Sequence, residues 1–382
     1  MITATSATGL LQEFIRIPSV NPDGAPGQNA TGEAAMAKAV GDFLIGCGAE
    51  VIFEEVLPGR PNVIGHFPGR STGPGLLFAP HTDTVSVQGM TIDPFAAEIR
   101  DDKIFGRGAS DTKGTMAAML WALYELKDQL PTLKLPVSFV GLMGEEAGQP
   151  GSKHFARAHA QDYSFAIVGE PTELETVHAH KGCVWIELST AGRSCHGSTP
   201  ELGENAIRKM MPLLMNLLEQ LENALSDYAD PTLGASTVSL GKMEGGTSPN
   251  IVPSLCRAIL DFRETPALHA AGGSVELVKS ILKTLDPSGS IRLNVIGDSV
   301  PLLTDPGIEG VKRLQSIGSK ITTAPWFCDA GRLGECGLAA VACGPGSIAQ
   351  AHTKDEFLSI NDLNAGVAFY RQFLETYSAT TS

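Results

Sequence analysis

The sequence predicts an α/β domain, with a sheet flanked by helices, that is interrupted by an inserted α+β domain. Up to about residue 180, short apolar runs alternate with helical periodicity, which is typical of an α/β sheet. The next segment follows the order strand, helix, strand, strand, helix, strand, which is ferredoxin-like. The first pattern then returns. We therefore expect the three segments to be 1–180, 181–297 and 298–382.

The first segment begins with a helix over 7–17, which has apolar residues at helical spacing and ends before Pro18. An Ala-rich helix follows over 32–47, with Gly48 as its C-cap. A third helix covers 113–127. Apolar runs predict the strands 51–53, 62–66, 76–79, 103–105, 135–143 and 165–168.

The insert and the final segment complete the predicted order. In the insert we expect the strands 184–190, 235–242, 255–263 and 291–295 and the helices 206–225 and 275–285. In the final segment we expect a helix over 306–317, a strand over 338–343 and a helix over 361–377.

Composition limits the partners of this chain. Its formal net charge is −14, from 28 basic and 42 acidic residues. Nucleic acid and anionic membrane surfaces attract basic faces, so we expect neither as a partner. No apolar run reaches the roughly 18 residues of a membrane span, and the N-terminus lacks a signal-peptide pattern. Seven dispersed Cys residues without CxxC pairs indicate reduced thiols, so we expect a cytoplasmic protein.

Five side chains that can bind metal stand where apolar runs give way to Gly- or Pro-marked turns. They are His81, Asp111, Glu146, Glu170 and His352. In α/β folds such positions lie outside the carboxyl ends of strands, where ligands bind. If the five converge, they can hold two divalent ions and activate a water.

Two further acidic residues flank this set. Asp83 stands two residues after His81 and can orient its ring while a metal binds the other ring nitrogen. Glu145 directly precedes Glu146, and two adjacent carboxylates at the end of a buried strand repel each other. Neighbours in an irregular segment point different ways, so one can bind metal while the other faces the water.

Each of these signals also has a simpler interpretation. The His81 segment suits a surface turn, and Asp111 suits a helix N-cap. Glu145 and Glu146 suit a solvated turn. Glu170 and His352 suit ordinary loop positions. The Gly-rich run before Asp111 also suggests phosphate binding, but it lacks the GxxxxGK[ST] pattern of a Walker loop.

Taken together, the segments resemble the M20 metallopeptidase family, which includes acetylornithine deacetylase, succinyl-diaminopimelate desuccinylase, aminoacylase-1 and carboxypeptidase G2. The resemblance covers nearly the whole chain. It runs in order through HTD, GRGASDTKG, GEEAG, GEP, HKGxxW, CHGSTPExGxNAI, PNIVP and GPGSIxQAH. The tail GPGSIxQAHxxDEF is most similar to the acetylornithine deacetylase-like members.

This resemblance implies a zinc-peptidase-like catalytic domain with a mixed sheet, and an insert that serves as a dimerisation or lid domain. It also implies that Asp111 bridges two Zn²⁺ ions, for which Co²⁺ or Mn²⁺ are possible substitutes. His81 and Glu170 would hold one ion, and Glu146 and His352 the other.

The remaining roles at the metal site are also implied by the resemblance. Glu145 would be the general base, and Asp83 would orient His81. The peptide bond between Asp111 and Thr112 would be cis.

Four residues are candidates for contacts with the substrate. By resemblance, His196 reaches the partner's site in a homodimer and stabilises the oxyanion there, although it also suits a satisfied loop position. Asn250 is either a turn residue or a contact to the oxyanion and substrate. Arg263 is either a strand-edge charge or a contact to the substrate's carboxylate, because an Arg fork binds a carboxylate bidentately. Arg332 is a second such candidate.

The resulting hypothesis is a dinuclear zinc amidohydrolase that removes the acyl group from an N-acyl amino acid. A metallo-exopeptidase acting on short peptides, either a carboxypeptidase or a dipeptidase, is the alternative, and so is the desuccinylase. The run Cys328-Asp329-Ala330 departs from the desuccinylase pattern and disfavours that enzyme. A non-enzymatic binding protein on this scaffold would lack ligand residues, and the sequence has all of them.

Overall fold

The computed structural model describes residues 4–24 and 31–378, which fold into two compact units. The first unit comprises Met1–His178, Thr304–Thr322 and Cys328–Ser382. The second comprises Ala179–Leu303 and Thr323–Phe327. Among the described residues, no helix is long and apolar enough to cross a membrane.

The segment 323–327 groups with the second unit, whereas the expected division of the chain placed it in the final segment. It belongs to the second unit because it packs on the start of that unit. The N–H of Lys181 donates to the carbonyl of Ala324 at 3.2 Å, and the ring of His180 stacks on Trp326 with centroids 6.3 Å apart.

The helices and strands follow the predicted order, with additional short elements. Up to His180 the chain forms α1 (Ala7–Ile15), α2 (Ala34–Gly46), β1 (Glu50–Leu57), β2 (Arg60–Phe67), β3 (Gly75–Pro80), β4 (Glu98–Arg100), β5 (Lys103–Phe105), α3 (Lys113–Glu125), β6 (Val137–Gly141), α4 (Pro150–His159), β7 (Tyr163–Gly169) and β8 (Thr176–His180). The next elements are β9 (Gly182–Ala191), α5 (Ala206–Leu225), β10 (Thr237–Gly245), β11 (Leu255–Glu264), α6 (Pro266–Ala270), α7 (Gly273–Leu285), β12 (Ile291–Ser299) and β13 (Leu302–Leu303). The last are α8 (Glu309–Ser316), β14 (Ile321–Ala324), α9 (Ala330–Glu335), β15 (Ala340–Ala342), β16 (Phe357–Ser359) and α10 (Ile360–Glu375).

The first unit is built on a mixed sheet in which the strands run in the order β1-β2-β6-β3-β7-β15-β8. Strand β3 is parallel to both β6 and β7, and β7 is parallel to β15, whereas β1, β2 and β8 pair antiparallel. The expected mixed sheet is therefore confirmed. Parallel neighbours end at the same edge, so β6, β3 and β7 bring the residues that follow them together.

Helix α3 lies against this sheet and is buried from Lys113 to Leu123. It is buried on all sides because β3 packs on one flank and α1 and α10 pack on the others, as in a helix in the core of a large domain. The core around it includes the aromatic side chains of Phe78, Phe139 and Tyr370. The loop that leads into α3 is thereby fixed next to the carboxyl ends of the strands.

The second unit is an antiparallel sheet with the strand order β10-β11-β9-β12. In terms of the four strands along the chain, this is second, third, first, fourth, and the expected ferredoxin-like fold is confirmed. Alternate residues of β9 and β11, among them Ile186, Leu188, Leu260 and Phe262, are buried in a core that α5 and α7 cover.

Candidate metal centre

The carboxyl ends of β6, β3 and β7 supply most of the polar side chains of the predicted site. His81 follows β3 directly and forms a parallel bridge with Leu142 at the end of β6. Glu145 and Glu146 follow β6 after a turn, and Glu170 follows β7. All four side chains are largely buried. These side chains come together because β3, β6 and β7 are parallel, so their carboxyl ends lie at the same edge of the sheet.

Asp111 lies at the centre of this cluster. Its Oδ1 is 3.0 Å from Nε2 of His81, and its Oδ2 is 3.3 Å from Nε2 of His352. The same Nε2 of His352 is 3.1 Å from Oε2 of Glu146. Ligand atoms of His81, Asp111 and Glu146 lie within 4.8 Å of one another. The two oxygens of Asp111 thus face two different imidazoles.

The backbone around Asp111 shows whether this residue serves as the N-cap of α3. The residue that precedes α3 is Thr112, and its side chain makes no capping bond to the helix. Asp111 directs its carboxylate to the histidines instead, so the N-cap interpretation is wrong. The peptide between Asp111 and Thr112 is cis, as expected.

His352 reaches the cluster from the far end of the sequence, in the loop between β15 and β16. Its backbone has a left-handed φ of 62°, a conformation that residues other than Gly rarely adopt. The side chain remains 56% exposed, whereas that of His81 is 2% exposed. The cluster is therefore closed to solvent on the His81 side and open on the His352 side.

Asp83 holds the ring of His81 and the backbone of the two glutamates in place through hydrogen bonds. Its backbone carbonyl lies 3.0 Å from Nδ1 of His81, and its Oδ1 lies 3.4 Å from the same nitrogen. Its carboxylate accepts the backbone N–H groups of Glu145 and Glu146, both at 3.0 Å, and the side-chain amide of Asn21 at 2.7 Å. Because Nδ1 of His81 is held in this way, Nε2 faces the cluster as the atom that can bind metal.

The carboxylates lie close together in a largely buried site, where they repel one another. Burial raises the pKa of Glu145 and of Glu170 well above the ordinary value, and neighbouring carboxylates raise both further. Burial and the charge of Asp111 also raise the pKa of Glu146. The hydrogen bonds of His352 with Asp111 and Glu146 raise the pKa of that imidazole to about 10. The raised pKa of the glutamates and of the imidazole both show that the cluster favours added positive charge.

The donor set fits divalent ions of the zinc type. Imidazole nitrogens and carboxylate oxygens are the ligands that Zn²⁺, Co²⁺ and Mn²⁺ share, and the buried carboxylates need cations to offset their charge. The orientation of Asp111 toward two imidazoles suits two such ions.

Several residues that sequence reasoning missed support the site. Glu356 accepts backbone N–H groups from the loop that carries Asp111. Lys113 is buried and donates to the carbonyls of Phe14 and Ile17 at 3.0 and 2.7 Å, and burial lowers its pKa to about 7. It therefore ties the end of α1 to the start of α3.

Asp329 is a further buried carboxylate close to the cluster. It accepts a hydrogen bond from Oγ of Ser152 at 2.5 Å, and burial raises its pKa to about 6. Its charge contributes to the raised pKa of Glu145. The sequence singled out the run around Asp329 only as a departure from the desuccinylase pattern.

Three of the four predicted substrate contacts lie in the second unit. His196 is exposed, with Nδ1 2.7 Å from Oγ of Ser198, and Asn250 is exposed and accepts from Oγ of Ser248 at 2.5 Å. The two lie in paired segments, since the N–H of Gly197 donates to the carbonyl of Asn250 at 2.8 Å.

The two predicted arginines are both engaged by nearby carboxylates. Nη2 of Arg263 lies 2.9 Å from Oδ2 of Asp261 in β11. Arg332 lies in α9 of the first unit, is buried, and has Nη1 3.2 Å from Oε2 of Glu335. Their assignment to a substrate carboxylate stays a prediction.

Comparison with known proteins shows which family this chain resembles. The sequence profile of peptidase family M20/M25/M40 matches residues 77–376. Acetylornithine deacetylase of Vibrio vulnificus is 29% identical over 358 residues, covering 91% of this chain and 92% of the relative. The Buchnera aphidicola enzyme of that name is 31% identical over 313 residues, covering 79% and 81%. An M20 family metallo-carboxypeptidase from Sulfolobus solfataricus has a similar fold, with a TM-score of 0.79 at 22% identity over 98% of this chain and 100% of the other.

The fold, the cluster of imidazoles and carboxylates, and these similarities define a metal-dependent hydrolase that acts on amide bonds. The chain belongs to peptidase family M20/M25/M40, because the family profile matches well over half of its length.

Proposed function

We propose that this chain is a dinuclear metal-dependent amidohydrolase that removes the acyl group from an N-acyl amino acid. The observation that carries the proposal is the position of Asp111, whose two oxygens face His81 and His352. The acyl amino acid is favoured over a peptide because the curated relatives that span most of the chain are acetylornithine deacetylases.

In this proposal the ions would be Zn²⁺, with Co²⁺ or Mn²⁺ as substitutes, and Asp111 would hold both. His81 and Glu170 would hold one ion, and Glu146 and His352 the other. When bound, such ions lower the pKa of a water ligand toward roughly 7 and polarise the amide carbonyl.

Glu145 is the proton carrier of the proposed reaction. It takes the proton from the attacking water as the oxygen bonds to the carbonyl carbon, and it gives that proton to the leaving amine as the C–N bond breaks. Burial and the nearby carboxylates raise the pKa of Glu145, which suits a group that must hold a proton between the two steps. Its backbone N–H is fixed by Asp83, so the side chain starts from a defined position.

Three residues of the second unit and Arg332 of the first would supply the remaining contacts in a homodimer. His196 would donate to the oxyanion of the tetrahedral intermediate in the partner's site, and Asn250 would contact the same oxyanion or the substrate. Arg263 or Arg332 would bind the carboxylate of the amino acid, for which a guanidinium fork is suited.

A hydrolysis panel tests the proposed substrate class. Metal-stripped protein, reloaded with Zn²⁺, Co²⁺ or Mn²⁺, is given N-acetylornithine, other N-acyl amino acids, and dipeptides that end in Ala or Glu. We expect kcat/KM for the best N-acyl amino acid to exceed that for any dipeptide by about 10-fold or more, with no turnover before metal is added. Faster cleavage of dipeptides would indicate an exopeptidase, and metal binding without any hydrolysis would indicate a binding protein.

A mixing experiment tests the role of His196 across subunits. The variants His196→Ala and Glu145→Gln are each expected to be nearly inactive. After random exchange of subunits half of the dimers are mixed, and each mixed dimer has one site with both residues, so we expect about a quarter of the wild-type activity. If the mixed protein has the wild-type metal content but recovers no activity, His196 does not act in the partner's site.

A further inference from the structure

Glu356 is a buried carboxylate whose two oxygens both accept hydrogen bonds from the loop that carries Asp111. Its Oε1 accepts the backbone N–H groups of Ser110 and Asp111, each at 2.9 Å. Its Oε2 accepts the N–H of Gly108 at 3.0 Å and Nη1 of Arg107 at 2.7 Å. The side chain of Glu356 is 0% exposed, so these donors replace water completely.

The fold holds Glu356 in this position through a small antiparallel sheet. Strand β16 begins directly after Glu356 and pairs with β5, which leads into the Asp111 loop. Oγ of Ser110 donates to the carbonyl of Phe357 at 2.9 Å, and Nη2 of Arg107 donates to the carbonyl of Thr353 at 3.2 Å. The loop and the segment after His352 are therefore joined by hydrogen bonds that Thr353, Glu356 and Phe357 accept.

We propose that Glu356 is a positioning residue for Asp111, which fixes the ligand loop so that both oxygens of Asp111 face the metal positions before any ion binds. This inference rests on the proposed function and deepens it. Glu356 acts through the backbone of Asp111, because its carboxylate is fully engaged by Arg107 and the loop amides. The same chain segment supplies His352 as a ligand and Glu356 as the support of the bridging ligand.

An isosteric amide discriminates this role from simple packing. Gln has one acceptor oxygen and one NH₂ donor, whereas both oxygens of Glu356 accept N–H groups. Glu356→Gln must therefore place NH₂ against donors on one side and leave at least one loop amide without its partner. The size and shape of the side chain are unchanged, so packing is retained.

The test measures metal affinity without turnover. Co²⁺ is titrated into metal-stripped protein, and binding is followed by its visible absorption in competition with a chelator. Partners that orient metal ligands typically contribute 10–100-fold to metal affinity, so we expect Glu356→Gln to bind Co²⁺ about 10-fold or more weakly, with an altered absorption spectrum. Co²⁺ affinity within about twofold of wild type, with an unchanged spectrum, would overturn the proposal.

Glu264 offers a matched control in the second unit. It is also a buried carboxylate, 2% exposed, and it accepts the backbone N–H of Ser274 at 2.5 Å. Glu264→Gln is expected to lower stability while leaving the Co²⁺ affinity of the folded protein unchanged. An equal loss of affinity in this control would show that any buried carboxylate has the same effect, and would also overturn the proposal.

Two further measurements do not depend on the folding of the Gln variant. Glu356→Asp keeps the charge but is one methylene too short to reach all three loop amides, so we expect it to bind Co²⁺ more weakly as well. In the wild-type protein, hydrogen exchange should show the amides of Ser110 and Asp111 protected both with and without metal. Rapid exchange of these amides in the metal-stripped protein would mean that the loop is not positioned in advance.

The outcomes separate this inference from the proposed function. A wild-type protein that binds Co²⁺ but hydrolyses no N-acyl amino acid contradicts the proposed function alone, and the comparison of affinities still stands. A wild-type protein that hydrolyses these substrates, with equal Co²⁺ affinity in Glu356→Gln, contradicts the inference alone.

Discussion

Replacing Glu145 by Gln is expected to lower kcat by about 10²–10⁴-fold while the metal content stays at the wild-type level. The amide cannot take a proton from water, but it keeps the size of the side chain and the backbone N–H that Asp83 accepts. Metal content is measured on the same samples used for the kinetics, so that a loss of ions is not mistaken for a loss of the proton carrier.

The neighbouring residue provides the control for this prediction. Glu146→Gln changes the same kind of side chain one position along, but Glu146 lies against His352 as a candidate ligand. It should lose metal together with activity, and excess metal should restore part of the activity. If Glu145→Gln behaves in the same way, or keeps full activity with metal bound, the assignment of the two glutamates is wrong.

Replacing Asp83 by Asn is expected to weaken metal binding by about 10–100-fold. The carboxylate of Asp83 accepts N–H groups from Glu145, Glu146 and Asn21, so an amide at this position must face one of them with its own NH₂. The mismatch also leaves a buried donor without a partner, which costs on the order of 1–3 kcal/mol in the free energy of unfolding.

Chelator competition and urea unfolding measure these two effects separately. Asn21→Ala is the milder comparison, because it removes one donor and leaves the carboxylate with both glutamate amides. We expect a smaller loss of metal affinity in that variant. An Asp83→Asn protein with wild-type metal affinity would mean that the hydrogen bonds to the glutamate backbone do not set the ligand geometry.

The parts of the site that the sequence predicts are those marked by local pattern. His81, Glu145 and Glu170 each follow an apolar run that ends in a turn, and parallel pairing then brings them together without further information. Strand β4 was not predicted because it lacks such a pattern. All three of its residues are exposed, so buried and exposed positions do not alternate.

Glu356 and Asn21 were missed because they act on groups that have no signature in the sequence. Glu356 binds backbone N–H groups that lie 245 to 248 positions earlier in the chain, and any residue except Pro offers such a group. Asn21 donates to Asp83, which lies 62 positions later in the chain. Asn is a common residue in turns, so the sequence gives no reason to single it out. Only the fold shows which polar residues support the candidate ligands.

The position of β15 has a consequence for the order in which the protein is made. This strand lies between β7 and β8 in the sheet, although it is synthesised about 160 residues after them. While the chain emerges from the ribosome, β7 therefore has an open edge beside Glu170, and His352 and Glu356 are still to come. A product that stops before residue 340 lacks β15, His352 and Glu356, and with them the strand between β7 and β8 and the hydrogen bonds that hold the Asp111 loop.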